Sequence, residues 1–164
     1  MDTEPGRSLI LWTVRISVAL YVVALFRFLQ NRQSDRRSDG IYRNTWSAAW
    51  LMCVIHVICA FHFQHHWDHS AALQHTAEMT ERVVGLHWAG GLYINYLFLT
   101  WWGIDVIRLW TKPADKPSVA LHAVAVFMMI NATVVFGPAW WWIPLGIVAV
   151  GLLWTTIPAR IADR

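Results

Sequence analysis

The sequence predicts an all-α fold, an integral membrane helical bundle of about five transmembrane helices plus an outer amphipathic segment. Three observations carry this. The 164 residues are 57% hydrophobic, with a mean hydropathy of +0.40, too apolar for an ordinary soluble domain. The apolar residues gather in runs near the ~20 residues a helix needs to cross a bilayer. Twelve tryptophans suit a chain with long water–bilayer boundaries, where indole partitions.

The elements follow in order. Residues 1–8, MDTEPGRS, lack the basic start and small-residue cleavage site of a secretory signal, so the first span, 9–29, reads as a retained anchor. Arg15 interrupts it about 9 Å below the expected boundary. Its stem can snorkel outward, or its charge can meet an acid on another helix. A polar loop, QNRQSDRRSDGIYR, separates it from the second span, 45–63, which opens on Trp46 and Trp50. Residues 64–81 are polar and extramembrane. The third span is 83–110, the Lys-Pro-Ala-Asp-Lys-Pro turn follows at 112–117, and the fourth span is 118–136. Gly137-Pro138 breaks the chain before the fifth span, 139–157, where Trp140, Trp141 and Trp142 suit an outer anchor. No repeat is evident, and residues 1–164 read as a single transmembrane domain.

Charge sets the orientation. Arg32, Arg36, Arg37, Arg43, Arg108, Lys112, Lys116, Arg160 and Arg164 collect on one side, against mainly Arg7 and Arg82 on the other. The positive-inside rule then puts the N-terminus outside and the C-terminus in the cytoplasm. The expected location is the plasma membrane, the inner membrane if the cell is bacterial. The net charge of +3 serves orientation rather than nucleic-acid binding, because no basic stretch is interleaved with aromatics. The expected partners are the lipid bilayer and other membrane subunits. Near the inner ends, Arg27 and Asp105 can pair, with Arg108 as a competitor.

The chemistry-bearing stretch is Cys53 to His87, which holds every histidine of the eight except His122. Cys53 and Cys59 stand on different helical faces, so a disulfide between them is not expected. If the second helix continues to Ser70, then Cys59, His62, His66 and His69 share an arc of about 80°, with His65 at its rim. His62 with His66, and His65 with His69, have the i,i+4 spacing at which two imidazoles share a metal. The third span runs back antiparallel, and depths match when residue numbers add to about 150 at equal helical rise. That puts His62 level with His87, Cys59 level with Gly90-Gly91, and His56 level with Asn95. The two glycines would permit close helix approach.

Three readings compete for this stretch. The histidines can be interfacial polar residues with no ligand. They can form a metal or haem site, with ligands His62, His66 and His87, then His65, His69 and Cys59. Copper or zinc suits several imidazoles with a thiol, and haem b needs one histidine from each helix. Alternatively, His56, Asn95, Asp105 and His122 form a polar stripe or proton path through the bundle. Between the second and third spans, Asp68 or Ser70 can cap an amphipathic helix with the stripe His75, Met79, Arg82, Val83 and Leu86. Glu78 and Glu81 belong to its solvated face or support imidazoles.

His62-x-x-His65-His66 resembles one histidine box of the membrane di-iron desaturases and hydroxylases, which implies iron ligands at these three positions. Those families need further boxes, and the charge rule places this one on the opposite membrane face. The runs Ala60–Ala72, Gly90–Tyr96 and Trp102–Asp105 resemble a group of small bacterial multi-pass membrane proteins without an assigned activity. That resemblance implies membrane placement and no chemistry. No phosphate loop, nucleophile elbow or CxxC pair occurs. The sequence thus leads to a small membrane protein with a histidine-rich outer edge, for redox or metal handling. The second expectation is a structural subunit of a larger membrane complex, without a cofactor of its own.

Overall fold

The helices follow from local signals at their ends and apolar spacing along their lengths. A computed structural model describes residues 4–33, 39–112 and 118–131, with helical positions at 146, 150 and 151. Among the described residues the fold is all helical, without a strand.

Helix α1 (Glu4–Gln33) opens on an acid and a proline, both suited to a first turn. Its 30 residues reach about 45 Å at helical rise. Helix α2 (Gly40–Cys59) is capped by Asp39, whose carboxylate accepts the Tyr42 amide at 2.7 Å. It continues into a π-helical turn, Ala60–Gln64. The stretches Glu4–Arg32 and Gly40–Gln64 are long and apolar enough to cross a membrane, by length and composition. They contain the expected spans 9–29 and 45–63.

These two helices form an antiparallel hairpin. Buried Thr13, Ser17, Tyr21, Ala24, Phe28 and Asn31 recur every three or four residues along one face of α1. Ile10 O meets the His56 ring at 3.0 Å, and Ser17 Oγ donates to Ala49 O at 2.8 Å. The Arg27 guanidinium reaches Asp39 at 2.9 Å. At the other end, a Cβ on Gly6 would fall 2.7 Å from the Phe63 ring, so glycine permits that approach.

The third expected span, 83–110, is not one helix. Helix α3 (His69–Val84) ends at Gly85, whose φ of +74° lets its amide return to Glu81 O at 2.8 Å. A Cβ would oppose that left-handed conformation. Helix α4 (Gly91–Thr111) starts six residues later, leaving 85–90 as a non-helical link that carries His87. Helix α5 (Val119–Ile130) follows Ser118, whose hydroxyl accepts the Leu121 amide at 3.3 Å. The end of the fourth expected span lies outside the described residues, as does the fifth span apart from its three helical positions.

The chain divides into two compact units, 1–125 and 126–164. In the second, the described helix carries exposed Phe127 and Ile130, and Asn131 donates to Phe127 O at 2.8 Å. In the first, α4 packs on α2 in the antiparallel register expected from the sequence. Trp50 donates to Leu99 O at 3.0 Å, and Trp46 donates to Asp105 at 3.0 Å. The close approach is at Gly103, where a Cβ would meet Trp50 at 2.9 Å. Gly90 instead makes room for the Trp88 ring, and Gly91 faces Thr76 of α3.

The first unit leaves many large apolar side chains on its surface and encloses a few polar ones in a mainly apolar interior. Ile94, Leu97, Trp101 and Ile104 stand exposed along one face of α4, as do Leu9, Trp12 and Ile16 on α1. Ser17, Asp105 and His122 are buried.

Candidate functional site

Chemistry-bearing side chains gather at two places in the first unit, one buried and one exposed. The buried group centres on Trp46, which is fully buried. Its indole donates to Asp105 Oδ2. Asp105 Oδ1 accepts from Arg108 Nη2 at 2.6 Å and Nε at 3.1 Å. The carboxylate is 4% exposed and the guanidinium side chain 32%. The pair borders a cavity of about 340 Å³, also lined by Trp101, Ile104 and Ser118. Asp105 is therefore held by two helices and a neutralising cation, as a buried carboxylate must be.

The Trp46 ring also packs against His122 of α5, centroid to centroid 4.4 Å. Its imidazole stacks on Phe28 at 4.0 Å. Its Nε2 is 2.9 Å from the Tyr42 hydroxyl, and its backbone carbonyl accepts from Tyr21 at 3.2 Å. Its Nδ1 and the Trp102 Nε1 are buried without a hydrogen-bond partner. This group ties α1, α2, α4 and the first turns of α5 together.

Of the expected polar stripe, Asp105 and His122 thus meet at one indole. His56 is engaged by Ile10 O, and Asn95 is exposed on α4. The four do not form one hydrogen-bonded string among the described contacts. Arg108, the expected competitor, takes Asp105, and Arg27 pairs with Asp39 and Gln30. The Arg15 guanidinium lies over the Trp12 ring, 5.2 Å from its centroid. The residues missed from the sequence are Tyr21, Tyr42 and Trp46. Tyr42 and Trp46 stand four apart at the start of α2, which is the signal that would have found them.

The exposed group is the histidine-rich edge. The expectation of one helix through Ser70 is overturned there. The π turn ends at His65, whose amide bonds back to Ala60 O at 3.1 Å. His66 and Trp67 follow with φ of +49° and +62°. A left-handed conformation costs a non-glycine residue about 1–2 kcal/mol. Asp68 then caps a new helix, its carboxylate accepting the Ser70 and Ala71 amides. Capping wins because it satisfies two otherwise orphaned donors. Cys59, His62, His66 and His69 consequently do not lie on one continuous helix.

Each imidazole has its own neighbour. His62 Nδ1 accepts from Trp67 Nε1 at 3.2 Å. His87 Nδ1 lies 2.8 Å from Glu81. His69 stands 3.4 Å from the Tyr96 hydroxyl and packs on Tyr96 and Phe61. His66 is exposed, and Cys59 is a half-buried free thiol, as is Cys53. The one close imidazole pair here is His65 with His75 of α3, 5.4 Å between ring centroids. Gln64 Nε2 sits 3.1 Å from His75 Nε2. Burial pushes the His65 pKa below the ordinary imidazole value, with the nearby His75 and His66 adding to the shift. Among the described residues, no three His, Cys, Asp or Glu side chains converge as a metal site.

Comparison with protein families, characterised proteins and solved structures finds no match for this chain.

Proposed function

We propose that the chain is an integral membrane protein whose lipid-embedded helices act as a scaffold for the histidine-rich edge. The N-terminus lies outside and the histidines face the outer aqueous side. The observation that carries this reading is the number of large apolar side chains left exposed on the helices. Large apolar residues such as Leu97, Trp101, Ile104 and Ile107 face outward, while Asp105, His122 and Ser17 are enclosed. In water this arrangement would forfeit the hydrophobic effect; in lipid it satisfies the backbone and encloses the charge. The two long apolar helices and the excess of inner arginines support the same reading.

A structural subunit of a larger membrane complex is the second reading. It is favoured by tryptophans that stand exposed on the helices, Trp12, Trp101 and Trp110. Haem clamped by His62 and His87 has less support, because Trp67 engages the first ring and Glu81 the second. A di-iron centre on His62, His65 and His66 lacks the further boxes that chemistry needs.

The test is topology. With Cys53 and Cys59 changed to Ser, a cysteine at Ser70 should label from outside in intact cells, and one at Ser34 only after permeabilisation. The protein should stay with membranes in alkaline carbonate. The reverse labelling pattern, or release by carbonate, would defeat the reading. Stoichiometric co-purification of other membrane subunits in mild detergent would favour the second.

A further inference from the structure

We propose that His65 and His75 form a two-imidazole clamp for a borderline divalent metal ion, with Cu²⁺ the tightest-binding member of that class. Metal binding at a named pair goes beyond the scaffold reading. It can be tested in detergent, whatever the orientation in the membrane.

The geometry carries the argument. Two imidazoles in neighbouring positions on one ion, each nitrogen about 2.0 Å from the metal, have ring centroids about 4.5–5 Å apart, the lower value for the tetragonal geometry of Cu²⁺ and the upper for a tetrahedral ion. The observed separation is 5.4 Å, with the ring planes inclined at 57°. The rings come from different elements, the end of the π turn and the second turn of α3. Their proximity is thus a property of the tertiary fold.

The backbone departs from regular geometry beside this pair. A π turn leads into His65, and two consecutive non-glycine residues with positive φ follow it. Such departures from regular geometry concentrate at functional positions. The reversal is fixed by Trp67 N bonding Phe61 O at 2.9 Å and Asp68 N bonding His65 O at 2.8 Å. It turns α3 back so that His75 faces His65.

The chemistry also fits. Imidazole is a borderline ligand that suits copper and zinc, and affinity rises to copper along the first-row divalent ions. The Gln64 amide against His75 fixes that ring and must yield, or turn its oxygen inward, when the metal arrives. Water or an exogenous donor completes the coordination. The ligand pair differs from the His62, His66 and His87 set expected from helical spacing.

The experiment uses the full chain purified in mild detergent through a tag without histidines, titrated with copper sulfate. One equivalent should bind, with nitrogen couplings from two imidazoles in the electron paramagnetic resonance spectrum. His65→Ala and His75→Ala should each weaken binding by at least about tenfold, since each removes one of two protein ligands. His75→Gln keeps a polar side chain beside Gln64 and should weaken binding equally with an unchanged circular dichroism spectrum. Absence of a one-equivalent site in the wild type overturns the proposal. So does wild-type affinity in folded His75→Gln, or loss of the site on replacing His62 and His87 but not His65 and His75.

Discussion

At the residue scale, Asp105 and His122 set the largest energetic stakes. Arg108→Ala would leave a carboxylate that is 4% exposed with the Trp46 indole and no cation. Breaking a buried pair from one side costs about 3–5 kcal/mol. Asp105→Asn should cost less, because the amide still accepts from Trp46 and Arg108 is partly exposed. Thermal unfolding in detergent should therefore rank Arg108→Ala below Asp105→Asn. Tyr42→Phe removes the hydroxyl from His122 Nε2 and leaves both ring nitrogens without a partner. A loss of about 1–3 kcal/mol is expected, read as a lowered melting temperature.

His65 gives a pH dependence of definite sign. Its folded pKa lies below the ordinary value of 6.5, burial being the main cause. Below pH 6.5 the unfolded chain takes up this proton before the folded one does. Stability therefore falls as pH drops through that window, and levels off once the folded state is also protonated. Melting at pH 7.5 and pH 5.5 should show the loss, and His65→Gln should remove part of it. An unchanged pH slope in that variant would refute the assignment.

At the element scale, glycine position decides how closely the helices pack. Gly103 lies beneath the Trp50 indole, which is fixed by its bond to Leu99 O. Gly103→Ala puts a methyl 2.9 Å from that ring and should cost about 1–3 kcal/mol by overpacking. Gly90→Ala meets Trp88 more closely, but Trp88 is 47% exposed on the link and can swing away. Unfolding measurements should thus find Gly103→Ala the more damaging. Sequence spacing found the α2–α4 register, because equal helical rise on two antiparallel helices fixes depth. It chose the wrong glycines, because a close approach depends on which side chain faces the glycine. The helix stop at Gly85 was present in the sequence as a glycine near the end of an amphipathic run. A hydropathy reading passes over it, since 83–110 stays largely apolar through the break.

At the scale of the whole molecule, the first unit is fastened by hydrogen bonds and by the Asp105–Arg108 and Arg27–Asp39 ion pairs. Its outer faces are apolar. In the membrane placement proposed above, packing and polar contacts would have to hold the helices together, because lipid itself is apolar. Ser17 to Ala49 O, Trp50 to Leu99 O and Tyr21 to His122 O are contacts of this kind, each joining two helices.

The sequence by itself determined the helical class, the places of α1 and α2, and the antiparallel register of α2 and α4. Apolar run length, capping residues and helical rise are local or one-dimensional properties. Only the tertiary structure decided which polar groups meet. Trp46 joins Asp105 to His122 across three helices, and the turn at His66 and Trp67 sends His75 back to His65 while His62 and His87 take other partners. Helical periodicity gives a side chain's angle around its own axis, but a single capped turn resets that angle for every residue beyond it.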